Sequence, residues 1–276
     1  MTTLSPTLSP VHRRQSHVIA DAITMLRRNL LHIIRYPGLS MFTILGPVVI
    51  LLLTVFVFGG TLGAGLPGVN PADGRDAYLA YVIPGILLIT IAGTVAGVSI
   101  TVAMDMTEGI TARFRTMAIS RAAVLAGHVL GNTIQAIIAV ALVLAVGVAV
   151  GFRPTAGPLE WLAAAGVIVL ISFAVSWIGV AMGMQSKTVE TASNLPMLLT
   201  ILVLLGSGFV PTASMPGWLQ GFAQWQPFTP FIESVRGLLL GTPLGWNPLL
   251  AVGWCVAIAL GGYIWSMVIY ERKSVR

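Results

Sequence analysis

Charge is what this chain has least of. Only 9% of its 276 residues are Asp, Glu, Lys or Arg, against 56% apolar residues and a mean hydropathy of +0.91. Soluble domains run about 25% charged and about 45–50% apolar, so a water-soluble globule is excluded and the chain reads as a membrane protein. Cysteine is nearly missing: Cys255 stands alone, so no disulfide can form within the chain. The nine acids, Asp21, Asp73, Asp76, Asp105, Glu108, Glu160, Glu190, Glu233 and Glu271, all fall outside the long apolar runs. Proton-driven transport normally needs an intramembrane titratable group. Only Glu233 could serve, and Arg236 stands beside it, which disfavours such a pump. The histidines, His12, His17, His32 and His128, show no metal spacing, and neither His-Glu-x-x-His nor Gly-x-Ser-x-Gly occurs. Ser186-Lys187-Thr188 resembles the end of a phosphate-binding loop, but Ala181 and Ser186 occupy its two glycine positions. No metal, no ATP site and no catalytic residue are therefore expected on this chain, and an enzyme is not expected. The net charge of +6 comes without a basic stretch interleaved with aromatics, so nucleic acid is not an expected partner.

What is present is apolar length. About 20 apolar residues span a bilayer, and charge-free runs occur at about Leu39–Phe58, Tyr78–Met104, Val129–Gly151, Leu162–Met184, Leu195–Val210 and Pro248–Tyr270. The expected fold is all-α and polytopic, with six transmembrane helices, the fifth short. Threading six spans with both termini inside puts twelve of the fifteen Arg and Lys residues on the cytoplasmic side and leaves Arg75, Arg153 and Arg236 outside. That follows the positive-inside rule. Residues 1–36 form a cytoplasmic N-terminus and 37–276 the transmembrane domain. The first 35 residues lack the apolar core and small-residue cleavage site of a signal peptide, so none is expected. Val18–Tyr36 is basic and amphipathic, the pattern of a helix lying in the membrane interface.

Pro211–Gly245 is too apolar for a solvated loop and too often broken for one span. Two short outer-leaflet helices are expected there, Trp218–Trp225 and Pro230–Leu240. Glu233 and Arg236, three apart, share a helix face and can pair as a structural or gating ion pair. Gly93/Gly97, Gly127/Gly131, Gly147/Gly151 and Gly179/Gly183 have Gly-x-x-x-Gly spacing and are expected to pack within the bundle. Pro47 and Pro84 are expected to kink the first and second spans.

A polytopic bundle without an energy source is either passive or driven by another subunit. The candidate contact is the charged island Asp105–Arg121, DMTEGITARFRTMAISR, expected on the cytoplasmic side between spans two and three. Asp105 and Glu108 have capping-box spacing. Ile110, Phe114 and Met117 then form an apolar stripe, with Arg113 and Arg115 projecting away from it. An ordinary loop whose arginines only set topology is the plainer alternative.

DMTEGITARFRTMAISRAAVLAGHVL resembles the signature segment of bacterial type-2 ABC exporter permeases, most closely the daunorubicin-resistance group. GSGFVPTASMPGWLQGFAQWQPFTPFIESVRGLLLG, Gly206–Gly241, is similar to that family's second signature, and YVIPGILLITIAGT, Tyr81–Thr94, to its second span. At Ala118 the chain departs from the proline frequent in the family. Ile110 follows Gly109 as in the daunorubicin group. The resemblance implies a permease in the bacterial plasma membrane, paired with itself or a close paralogue and docked on two copies of a separate ATP-binding subunit. ATP and Mg would sit on that subunit. It implies export of an apolar drug-like or lipid-like substrate by alternating access. It also implies coupling through Asp105, Glu108, Gly109, Arg113, Phe114, Arg115, Met117 and Arg121, and a substrate route past Thr90, Thr94, Asn194, Thr200 and Phe209. The alternative is a non-transporting membrane scaffold or assembly subunit with the same fold.

Overall fold

The computed structural model describes residues 37–66, 74–107 and 121–272. The N-terminal amphipathic segment and residues 108–120 of the island lie outside them. Among the described residues every regular element is helical.

The first crossing is built from α1, Pro37–Leu53, a π-helical turn at Thr54–Phe58, and α2, Gly59–Ala64. Thr54 marks the irregularity. Its hydroxyl donates back to the carbonyls of Ile50 and Leu51, at 2.8 and 3.0 Å, the local competition with the helix ladder that Thr offers. α3 follows, Gly74–Thr107, at 34 residues. It rises about 51 Å at 1.5 Å per residue, well beyond a hydrocarbon core of about 30 Å. Helical conformation continues through Pro47 and Pro84. α4 is Arg121–Val150 and α5 is Pro158–Gln185. α5 starts where Pro158 follows Gly157 and Glu160 Oε2 accepts the Gly157 N–H at 2.6 Å, so an orphan donor is met and a negative charge sits at the helix start.

The expected fifth span is not one continuous helix. It is α6, Val189–Asn194, a turn at Leu195 and Pro196, then α7, Met197–Leu204, and further turns over 205–209. Thr188 opens α6 by accepting the Thr191 N–H at 3.2 Å. α8, Gly217–Trp225, and α9, Phe228–Leu240, match the two expected short helices closely. α10, Asn247–Arg272, completes the bundle. Among the described residues five helices are long and apolar enough to cross a membrane: Thr43–Ala64, Gly74–Thr107, Val124–Val150, Pro158–Gln185 and Asn247–Arg272.

α3 is the axis, packed against α1, α2, α4, α5, α6, α7 and α9, and α5 joins it to α10. α3 and α5 are mostly buried within the chain, while the other long helices keep most of their apolar surface exposed. The α3–α5 seam depends on glycine. A Cβ at Gly179 would lie 2.6 Å from Val95 Cγ1, and one at Gly183 2.4 Å from the Ser99 carbonyl oxygen. Gly147 likewise faces Ile83, so these glycines pack inside the bundle as expected. Gly93 and Gly97 do not: a Cβ on either would meet nothing within 4 Å. Their face of α3 is unfilled by the described chain.

Two apolar cores result. The large one runs along α3 and takes in Tyr78, Ile86, Val143, Ile171 and Phe231. A smaller one, with Val102, Val129, Trp177, Met184 and Tyr270, gathers the far ends of α3, α4, α5 and α10. The bundle thus has an aromatic end, where Trp218, Trp225 and Trp246 stand exposed, and an island end, where α3 stops and α4 starts around the charged segment.

Candidate functional site

At the aromatic end the chemistry converges on Arg236. The turns that follow α7 leave helix-terminal carbonyls without intrahelical partners. Arg236 Nη2 donates to the Ser207 carbonyl at 2.8 Å and to the Tyr81 carbonyl at 3.1 Å. Its Nη1 donates to Glu233 Oε1 at 2.5 Å, and its guanidinium lies 3.9 Å over the Tyr81 ring. The Tyr81 hydroxyl donates to the same Ser207 carbonyl at 2.8 Å, and the Tyr78 hydroxyl to that of Phe209 at 3.4 Å. One buried arginine therefore ties α9 to the start of α3 and to the end of the α7 segment. Only a planar fork of donors could reach those acceptors together. Close backbone approach supports it: a Cβ on Gly85 would lie 2.7 Å from Gly208 Cα.

The expected Glu233–Arg236 pair is therefore present, with a wider set of partners than its spacing suggested. Beside it opens a cavity of about 550 Å³, lined by Ala77, Tyr81, Pro211, Glu233, Arg236 and Leu240 among others. A second hollow of about 410 Å³ shares Leu66, Pro211 and Ala213 with it and carries Phe209.

The other route residues fall in different settings. Thr90 and Thr94 are fully buried on α3, their hydroxyls donating to the carbonyls of Ile86 and Ile91. Thr94 also meets Asn132 of α4, whose Nδ2 lies 3.4 Å from Thr94 Oγ1 and donates at 2.8 Å to Ser176 Oγ of α5. This is polar stitching between three helices. Asn194 is exposed at the end of α6, and Thr200 is half-buried on α7. Among the described residues, no hydrogen bond or cavity joins these five positions into one pocket.

At the island end, Asp105 is not the cap of a new helix. α3 continues to Thr107, so the Asp105 carboxylate is an interior group of that helix, 7% exposed. Its Oδ2 lies 3.2 Å from His128 Nε2, two turns into α4. The apolar run stops at Met104, but the helix does not: Asp105 stays within α3 and faces His128 of α4. The bundle thus buries a titratable acid, two residues from the end of a helix longer than the hydrocarbon core. Glu108, Gly109, Arg113, Phe114, Arg115 and Met117 lie outside the described residues. Arg121 opens α4.

Sequence reasoning missed His128, Asn132, Ser176 and Tyr81. A signal existed for two of them: His128 and Asn132 are polar residues four apart at the entrance to an otherwise apolar run.

The fold and this geometry define a multi-pass helical membrane protein with a charged segment at one end and a polar clamp at the other. The chain belongs to the ABC-2 type transporter family, whose pattern matches residues 21–240. It is 28% identical over 259 residues to the daunorubicin resistance ABC transporter permease protein DrrB1 of Streptomyces coeruleorubidus, covering 93% of this chain and 88% of that one. It is 26% identical over 269 residues to the probable doxorubicin resistance ABC transporter permease protein DrrC of Mycobacterium tuberculosis, covering 94% of each.

Proposed function

We propose that this chain is the transmembrane permease subunit of an ATP-driven exporter, moving an apolar drug-like or lipid-like molecule out of the cytoplasm or inner leaflet. The observation that carries the reading is the family match over residues 21–240, which takes in both the island and the Arg236 clamp. Similarity to two permeases named for daunorubicin and doxorubicin resistance supports a drug-like substrate.

In this reading six crossings are made, the fifth by the broken α6–α7 segment, in a bacterial plasma membrane with both termini cytoplasmic. Two copies of a separate ATP-binding subunit, carrying ATP and Mg, dock on segment 105–121 of two permease chains, identical or closely paralogous. Phe114 supplies the apolar contact, with Arg113, Arg115 and Arg121 around it. Closure of the ATPases moves the bundle, and the aromatic end opens for release. The Arg236 clamp is the closure that must part, because one side chain there joins α9, α3 and the turn after α7. The exposed apolar flanks of α1, α4 and α10 suit lipid and a second permease.

The test is to express the chain with a neighbouring ATP-binding subunit and purify through a tag on the permease. A stable complex that hydrolyses ATP is expected, and Phe114→Ala with Arg115→Glu should abolish co-purification. A folded permease that leaves every candidate ATPase behind would instead favour the scaffold reading.

A further inference from the structure

The described chain buries one acidic side chain, and it does so at the place where the charged island is hung. Asp105 lies two residues before the end of α3, and His128 lies two turns after the start of α4. Segment 108–120 is strung between those two helix ends. Force applied to the segment enters the bundle through Thr107 and Arg121, and close to those points the Asp105–His128 pair ties the two helices together.

Stability does not explain such a pair. Burying two ionisable groups carries a desolvation cost that their attraction barely repays, and apolar residues of similar volume often serve as well or better. Removing one partner is the damaging change, because it strands a buried charge. What the pair adds is registry: it admits one relative placement of α3 and α4, whereas apolar side chains tolerate sliding. Its surroundings make that placement matter beyond two helices. Val102 and Met106 of α3, Val124 and Leu125 of α4, Met184 of α5 and Tyr270 of α10 enclose it, leaving a hollow of about 10 Å³, at the lower limit for a single water molecule. Close-packed interiors transmit displacement rather than absorb it. A shift of the α3 and α4 ends must therefore move the ends of α5 and α10.

We propose that Asp105 and His128 are positioning residues for transport: they lock the ends of α3 and α4 in register, so that motion of segment 108–120 passes to the whole bundle. This rests on the exporter reading above. In that reading Phe114 and its arginines make the contact with the ATPase, and the pair passes the motion on.

The experiment uses the full chain in complex with its ATP-binding subunit, in lipid nanodiscs, in a Cys255→Ser background. Ser207→Cys reports opening at the aromatic end through reaction with a charged, membrane-impermeant maleimide. Ser207 is buried and its hydroxyl has no partner among the described residues, so the report disturbs no hydrogen bond. Two double variants replace the pair: Asp105→Leu/His128→Leu, and Asp105→Asn/His128→Gln. Each complex should assemble and hydrolyse ATP. Trapping with ATP and vanadate should raise labelling in the parent complex, and the Leu pair should cut that rise at least fivefold. A Leu-pair complex that opens like the parent overturns the proposal. So does failure of both double variants to fold, which would make the pair a folding element. If the parent complex hydrolyses ATP without any rise in labelling, the opening assigned to Arg236 is wrong, and the pair is judged on hydrolysis alone. A rate within twofold of the parent then overturns the proposal, and a larger change upholds it.

Discussion

Arg236 carries more structure than any other single side chain described. Its guanidinium meets a carboxylate, two backbone carbonyls and an aromatic face, and it is 6% exposed. Arg236→Ala would take this donor from the Glu233 carboxylate and the Tyr81 carbonyl, and one of two donors from the Ser207 carbonyl. Breaking a buried charged group out of its partners costs about 3–5 kcal/mol. The half-exposed Glu233 takes part of that cost into solvent, so a loss of about 3 kcal/mol is expected, read as a clear drop in melting temperature in detergent. Arg236→Lys keeps the charge but loses the planar fork and should fall between the two. An alanine variant melting like the parent would remove the clamp from this account. Glu233→Gln separates two roles: reduced folded yield means the pair is structural, while normal yield with lost transport means that it gates. The spacing of Glu233 and Arg236 was legible in the sequence. Their partners were not, because Tyr81 and Ser207 lie 155 and 29 positions away from Arg236, and nothing local announces a carbonyl that a helix has released.

At the scale of elements, the seam between α3 and α5 separates two kinds of glycine that look alike in sequence. Gly183 and Gly97 both belong to a Gly-x-x-x-Gly spacing, yet only Gly183 has a backbone pressed against it. Gly183→Ala must push the Ser99 carbonyl away or part the helices, and overpacking of this kind costs about 1–3 kcal/mol. Gly97→Ala should leave the melting temperature of the isolated permease unchanged. Equal effects from the two substitutions would mean that the seam is softer than its distances imply. Should Gly97→Ala harm only the assembled complex, the open face of α3 is covered there by something outside this chain. Helix positions were otherwise well marked. Long charge-free runs marked all five long apolar helices, and prolines with amphipathic aromatics marked α8 and α9. The ends of α3 were misjudged because a charge was taken as a boundary, and α7 because hydropathy does not register the break at Leu195 and Pro196.

For the whole molecule, the orientation and the number of crossings stand or fall together. Lys187 precedes α6 and Ala213 follows the turns after α7, and both are exposed. If the broken α6–α7 segment crosses the membrane, these two positions lie on opposite sides; if it dips in and returns, they share a side. Twelve of fifteen basic residues lie on one face when six crossings are threaded, and cytoplasmic retention of Arg and Lys then places Lys187 inside. In a Cys255→Ser background, Ala213→Cys should react with a charged maleimide in intact cells, and Lys187→Cys should react only after the cells are opened. Like behaviour of the two would leave five crossings and a re-entrant fifth element: neither labelled in intact cells if segment 105–121 is inside, both labelled if it is outside. Labelling of Lys187→Cys alone would invert the bundle, placing segment 105–121 outside the cell, beyond the reach of any ATPase in the cytoplasm. The expected pattern keeps that segment inside and the Arg236 clamp at the outer face, the arrangement a driven exporter needs: energy enters where α3 and α4 are joined, and release occurs where α9 is held shut.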